Sequence, residues 1–132
     1  MIDELKNIEY VLFDLDGTVS DSSEGITKSA DKALKSEGIN VPFETLTSFI
    51  GPALRVSFGR YTDDVEKRDR MLDVYRERYS EKGWCENKIY PGMAELLRDL
   101  QKSGKHVVLA SAKPEYFCRK IIKYFGVEQY FD

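Results

Sequence analysis

The spacing of apolar residues along the chain switches between strand-like runs and helical stripes, and the switches divide it into elements. Ile8-Glu9-Tyr10-Val11-Leu12-Phe13 is short, β-branched and aromatic and runs directly into Asp14, which predicts a buried strand ending in a loop. Asp21-Ser22-Ser23 has good N-cap chemistry, and after it Ile26, Ala30, Ala33 and Leu34 share one helical face that Gly38 terminates. A turn at Pro42 leads to the apolar piece Leu46 to Ile50, and Gly51-Pro52 breaks the chain before Ala53 to Phe58. Asp63 to Lys82 is highly charged, yet it spaces Val65, Leu72, Tyr75 and Tyr79 as a helix would, with Gly83 as its end. Past Tyr90-Pro91-Gly92 another helix directs Met93, Leu96, Leu97 and Leu100 inward and stops at Ser103-Gly104. Lys105 to Ser111 is again a buried-strand signal, and Pro114 opens a helix with Phe117, Ile121, Ile122 and Phe125 at its apolar positions. Tyr116 and Tyr124 recur at helical spacing with these and are expected in the core.

Strand, helical excursion, helix, strand and helix, in that order, open an α/β fold with a parallel sheet. Residues 1–19 and 87–132 then form the core and residues 20–86 an inserted all-helical domain. With 132 residues, 42% of them hydrophobic, the chain is within the size of one domain and has enough apolar surface for a packed core. Lys+Arg 20 against Asp+Glu 23 gives a formal net charge of -3, so no broad basic face for a nucleic acid polymer or an anionic membrane is expected. Met1 to Lys6 lacks the basic-then-apolar order of a signal peptide, and no apolar run approaches the ~20 residues of a membrane span; a soluble, cytoplasmic protein follows. Cys85 and Cys118 match neither a CxxC pair nor a zinc spacing and are read as reduced thiols. His106, the only histidine, has no companion at ligand spacing and is read as structural.

Polar residues just past the carboxyl ends of central parallel strands are where ligands sit, and Asp14, Asp16 and Thr18 occupy that place. Only Leu15 separates the two carboxylates, and Gly17 lets the backbone turn sharply enough for both to approach one point. Two such carboxylates repel unless a cation sits with them, and Mg²⁺, a hard oxygen-liganded ion, suits a phosphate ester substrate. One carboxylate can then attack phosphorus while the other handles protons. After the second strand, the Ser111 hydroxyl is placed to donate to a phosphoryl oxygen, and the helix start at Pro114-Glu115 offers free N–H groups.

The string Asp14-Leu15-Asp16-Gly17-Thr18-Val19-Ser20-Asp21-Ser22, directly after an apolar strand, resembles the first motif of haloacid dehalogenase superfamily phosphatases. Ser111 after Val107-Val108-Leu109-Ala110 is similar to that superfamily's second motif. The resemblance implies a Rossmann-like core with a helical cap, of the phosphoglycolate phosphatase and β-phosphoglucomutase branch. It implies Asp14 as nucleophile and Asp16 as general acid/base, with the Asp14 side chain and the Asp16 backbone carbonyl on Mg²⁺. Gly17, Thr18, Ser111, Ala112 and Lys113 then become phosphate-binding positions. Gly51-Pro52-Ala53-Leu54-Arg55 resembles the branch's specificity loop, which makes Arg55 the cap residue for an anionic substrate group. Tyr79, Trp84 and Glu86 to Gly92 look like the subgroup described as 5′-nucleotidase-like. A second Asp at position 16 disfavours dehalogenation, since the dehalogenase branch lacks it.

The implied substrate is a small phosphorylated metabolite, hydrolysed through an aspartyl-phosphate. A phosphomutase is the alternative enzyme, and a catalytically incomplete binding module the alternative of another class. The last follows from the end of the chain at Phe131-Asp132, before the lysine of the third motif and the acidic residues of the fourth. Asp63-Asp64 falls in the expected cap and does not serve as the fourth motif. The expectation is therefore a truncated chain, or one whose missing strands come from a partner chain.

Overall fold

The computed structural model describes residues 5–132; Met1 to Glu4, part of the stretch read as unlike a signal peptide, lie outside the described residues. Along the chain run β1 (Tyr10–Phe13), β2 (Ser20–Asp21), α1 (Ser23–Ser36), α2 (Leu54–Gly59), α3 (Val65–Glu81), β3 (Lys88–Ile89), α4 (Met93–Lys102), β4 (His106–Leu109) and α5 (Glu115–Tyr124). Short 3-10 segments occur at Phe43–Phe49, Gly83–Cys85 and Glu128–Tyr130. The elements fall into two compact units, Met1–Asp21 with Ile89–Asp132, and Ser22–Lys88. No helix among the described residues is long and apolar enough to cross a membrane.

The first unit is built on a parallel pair, β1 with β4, in the register Tyr10↔His106 to Phe13↔Leu109. Their β-branched and aromatic side chains suit a pleated surface. Flanking rungs from His106 N to Glu9 O (2.8 Å) and from Ala110 N to Phe13 O (2.7 Å) extend the ladder to both ends. Parallel pairing puts the carboxyl ends of both strands on one side, so the loops after Phe13 and Leu109 emerge together. Leu97 and Leu100 of α4, Ile121 and Ile122 of α5, and Val107 form the buried apolar set around this pair. His106 stacks on Tyr10 at 4.8 Å between ring centroids and holds Asp132 Oδ2 at 2.7 Å through Nδ1, a structural role.

Several residues expected in the core are exposed. Among the described residues β1 pairs with β4 alone, so Tyr10 (58% exposed) and Leu12 (64%) border an open apolar groove of about 380 Å³. Leu96, read as inward, lines the same groove and is exposed for the same reason. Tyr116 and Tyr124 lie on the outward stripe of α5, eight residues apart, with the Lys120 ammonium 5.7 Å from the Tyr116 ring centroid. Their periodicity is genuine, but a helix buries one stripe, and in α5 Cys118, Ile121 and Ile122 occupy it. Val65, the first residue of α3, is exposed, while Met71, Leu72, Tyr75 and Tyr79 take the buried stripe of that helix.

The second unit packs α1 against α3. Ile26, Ala30, Ala33 and Leu34 are buried on α1 as their spacing predicts, facing a core that includes Phe49, Phe58 and Tyr75 in edge-on ring contacts. Asp64 caps α3 by accepting from Glu66 N (3.0 Å) and Lys67 N (3.3 Å). At α1 the expected N-cap residue, Ser22, makes no side-chain cap bond; Gly25 N donates instead to Glu86 O at 3.1 Å. That approach requires Gly25, because a Cβ there would meet Gly83 O at 1.9 Å. Arg78 straps the same corner with a fork onto Glu86 Oε1 (2.7 Å) and Oε2 (3.2 Å) and a third bond to Ser29 Oγ (3.2 Å).

The close approach at this corner can be tested against an open glycine position elsewhere in the unit. Gly25→Ala should destabilise the protein by about 1–3 kcal/mol through the forced backbone shift. Gly59→Ala, where an added Cβ meets nothing within 4 Å, should be neutral or stabilise by a few tenths, and urea titration compares the two. Separately, the fork from Arg78, followed by the Lys28 charge, holds the Glu86 carboxyl below its ordinary value of 4.5, against the opposing effect of burial. The resulting stability is present above pH 4.5 and is lost as pH falls through the depressed folded value. In Arg78→Met the melting temperature should drop at pH 7 by an amount equivalent to roughly 2 kcal/mol, and its decline below pH 4.5 should become shallower.

Candidate active site

Leu15 determines the shape of the loop after β1. Its side chain is fully buried, and its carbonyl accepts N–H groups from Thr18 (3.2 Å), Val19 (3.0 Å) and Ser20 (3.1 Å). Val19, also fully buried, anchors the other limb, and Gly17 N closes the turn onto Ser20 O at 2.8 Å. Leu15 is anchored in the core, while Asp14 before it is exposed and Asp16 after it is half-buried. Gly17 adopts φ +82°, where a side chain is strained, and lets the chain double back directly after Asp16.

Within this loop Asp14 is exposed, and its Oδ1 accepts from Leu15 N at 2.8 Å. Asp16 is half-buried; its Oδ2 lies 3.3 Å from Lys113 Nζ, while its Oδ1 is buried with no hydrogen-bond partner among the described residues. Thr18 is exposed on the same turn.

The loop after β4 supplies the opposite wall. Ser111 Oγ accepts from Lys113 N at 3.1 Å, folding Ser111, Ala112 and Lys113 into a tight bend ahead of α5, with Pro114 as the N-cap. The Lys113 side chain is only 10% exposed, far from the free surface lysine that a loop position suggests. Beneath the bend the Cys118 thiol donates to Lys113 O at 3.6 Å and lies in hydrogen-bonding contact with Ser111. Burial pushes this thiol above its ordinary 9.0, the Ser111 contact and the Lys113 charge opposing that rise. Neither cysteine forms a disulfide. Nothing in the sequence pointed to Cys118 or to the Asp16–Lys113 pair; the one legible hint was that Cys118 falls on the buried stripe of α5.

Asp14, Asp16, Gly17, Thr18, Ser111, Ala112 and Lys113 thus converge at the carboxyl ends of two parallel strands. Arg55 belongs to the other unit, where it lies on α2, over half exposed, with Nη1 at 3.2 Å from Asp69 Oδ1. No group of three or more His, Cys, Asp or Glu residues able to hold a metal ion occurs among the described residues. The site nevertheless fits Mg²⁺, which keeps several waters and takes one or two carboxylates from the protein. Exposed Asp14 provides an oxygen of that kind, and the orphaned Asp16 Oδ1 leaves an acceptor for one of those waters.

A carboxylate pair after the first of two parallel strands, a serine and buried lysine after the second, and a helical unit inserted between them in sequence define an α/β domain with a polar site at the strand ends. The model of the haloacid dehalogenase-like hydrolases matches residues 11–132, and the chain belongs to that family. A 5′-nucleotidase of Pseudomonas aeruginosa is 39% identical over 92% of this chain and 56% of its own length. The tyrosine-protein kinase PtkA of Mycobacterium tuberculosis is 37% identical, over 94% of this chain and 43% of its own. The crystal structure of a protein described as a predicted phosphatase from Clostridium acetobutylicum superposes with a TM-score of 0.88 at 43% identity, covering 95% of this chain and 59% of that one. The chain therefore spans roughly half of the length of the curated relatives it matches.

Gly17→Ala tests the loop. An added Cβ meets nothing within 4 Å, so the cost is backbone strain alone, about 1 kcal/mol in urea denaturation. Gly17→Val, β-branched in a left-handed conformation, should cost more.

Proposed function

We propose that the chain carries the nucleophile and acid/base half of a Mg²⁺-dependent phosphomonoester hydrolase. The observation that supports this most directly is the convergence of Asp14, Asp16, Ser111 and Lys113 at one end of the parallel pair. In this reading the Asp14 carboxylate attacks phosphorus and forms an aspartyl-phosphate, and Asp16 gives a proton to the departing alkoxide. Water then attacks the aspartyl-phosphate, with Asp16 taking a proton from it. The Ser111 hydroxyl donates to a phosphoryl oxygen as charge develops there. Backbone N–H groups of the Gly17–Thr18 turn and the Ser111–Lys113 bend add further donors. The Asp14 carboxylate and the Asp16 carbonyl would hold the Mg²⁺, which when bound neutralises phosphoryl charge.

A small anionic metabolite of the phosphoglycolate or nucleoside monophosphate type is the proposed substrate, and the helical unit is the proposed cap, with Arg55 the anchor for a second anionic group. Supporting the hydrolase reading are the family membership, the 5′-nucleotidase among the relatives and the second aspartate at position 16.

The test is phosphate release from a panel of phosphate esters, phosphotyrosine included because of the kinase-named relative. Asp14→Asn should lower turnover by at least ~10³-fold and abolish the mass gain of one phosphoryl group in the intact protein. Chelation by EDTA should remove turnover and added Mg²⁺ restore it. Isomerised sugar phosphate without free phosphate would overturn hydrolysis in favour of a mutase; unchanged turnover in Asp14→Asn would remove the nucleophile assignment.

A further inference from the structure

All the polar groups of Lys113 are engaged within the site. Its N–H donates to Ser111 Oγ (3.1 Å), its carbonyl accepts from the Cys118 thiol (3.6 Å), and its ammonium lies 3.3 Å from Asp16 Oδ2. With a side chain 10% exposed beside a carboxylate 20% exposed, the ion pair is shielded from the water and salt that weaken surface pairs. The residue therefore bridges the loop after β1 to the loop after β4, and it is the contact that ties the half-buried Asp16 carboxylate to the second loop.

We propose that Lys113 is a positioning residue for Asp16, fixing the orientation of the carboxylate that exchanges protons with the leaving group and with water. The assignment rests on the phosphatase reading and deepens it. The Lys113 charge is directed at the protein's own acid/base rather than reserved for the substrate. One end of Asp16, Oδ2, is held by the ammonium, which fixes the rotation of the carboxylate and so the direction of Oδ1, buried and without a partner in the resting site. A carboxylate free to rotate would spend much of its time with neither oxygen aligned, and a misplacement of about 1 Å in an acid/base group can cost ~100-fold in rate. Cys118 secures the bridge from below by holding the Lys113 carbonyl, which makes the arrangement a chain from α5 through Lys113 to Asp16.

A positioning role and a phosphate-binding role make opposite kinetic predictions. If Lys113 orients Asp16, Lys113→Met in the intact protein should lower kcat by about 100-fold. KM for the ester and the inhibition constant of inorganic phosphate should stay within about threefold, because ground-state binding is not what was lost. Lys113→Arg, which keeps a cation within reach of Oδ2, should recover at least about a tenth of the lost rate, a rescue that a general packing role would not show. Cys118→Ala, which leaves the ammonium in place but loosens its seat, should give a smaller fall in kcat in the same direction. Circular dichroism melts confirm that each variant is folded. A tenfold or larger rise in KM and in the phosphate inhibition constant with kcat retained would make Lys113 a phosphate ligand, overturning this assignment and leaving the hydrolase reading intact. Wild-type kinetics in Lys113→Met would overturn it as well. No metal-dependent turnover by the unsubstituted protein on any ester would overturn the hydrolase reading itself, and this assignment with it.

Discussion

The burial of Leu15 is the constraint on which the site depends. A fully buried leucine between two aspartates holds the loop against the core, and its carbonyl, accepting three N–H groups, winds the following residues into a turn around one point. Leucine in this place does more than fill space: it orients two charged groups that on their own would repel each other and seek solvent. The left-handed backbone at Gly17 and the burial of Val19 follow from the same requirement, that the chain reverse at once while Leu15 stays put.

Charge at the site is arranged in a similar way. Asp16 is drawn partly inward and matched by Lys113, whereas Asp14 remains exposed with a single backbone donor on Oδ1. Two carboxylates separated by one residue therefore sit in different surroundings, one tied by a cation and one open. In the proposed reading this difference in surroundings is what separates the nucleophile from the acid/base. In the helical unit, the corner at Gly25 and Gly83 shows how the insert is held at its own base. Backbone meets backbone there, and Arg78 of α3 ties Glu86 by its fork and α1 by its bond to Ser29.

Much of the fold was legible because it is encoded by short-range pattern. The helical stripe of Ile26, Ala30, Ala33 and Leu34 is buried as its spacing predicts, and the runs at Tyr10 to Phe13 and His106 to Leu109 are strands. Pattern failed where burial depends on what lies alongside. Tyr10 and Leu12 have strong strand chemistry but border an open groove, and Tyr116 and Tyr124 have helical periodicity on the wrong stripe of α5. Periodicity states which residues share a face; whether that face is covered is decided by neighbours far away in sequence.

The sequence by itself determined the family and the local geometry of its first loop, because Asp14 to Ser22 is contiguous and its turn is closed by bonds between residues within five positions of one another. Only the tertiary structure decided that Asp16 pairs with Lys113, that Cys118 lies beneath the Ser111 bend, and that Arg55 pairs with Asp69 within its own unit. The physical reason is distance along the chain. Asp16 and Lys113 are brought together by the parallel register of β1 and β4, a long-range pairing that residue spacing does not reveal.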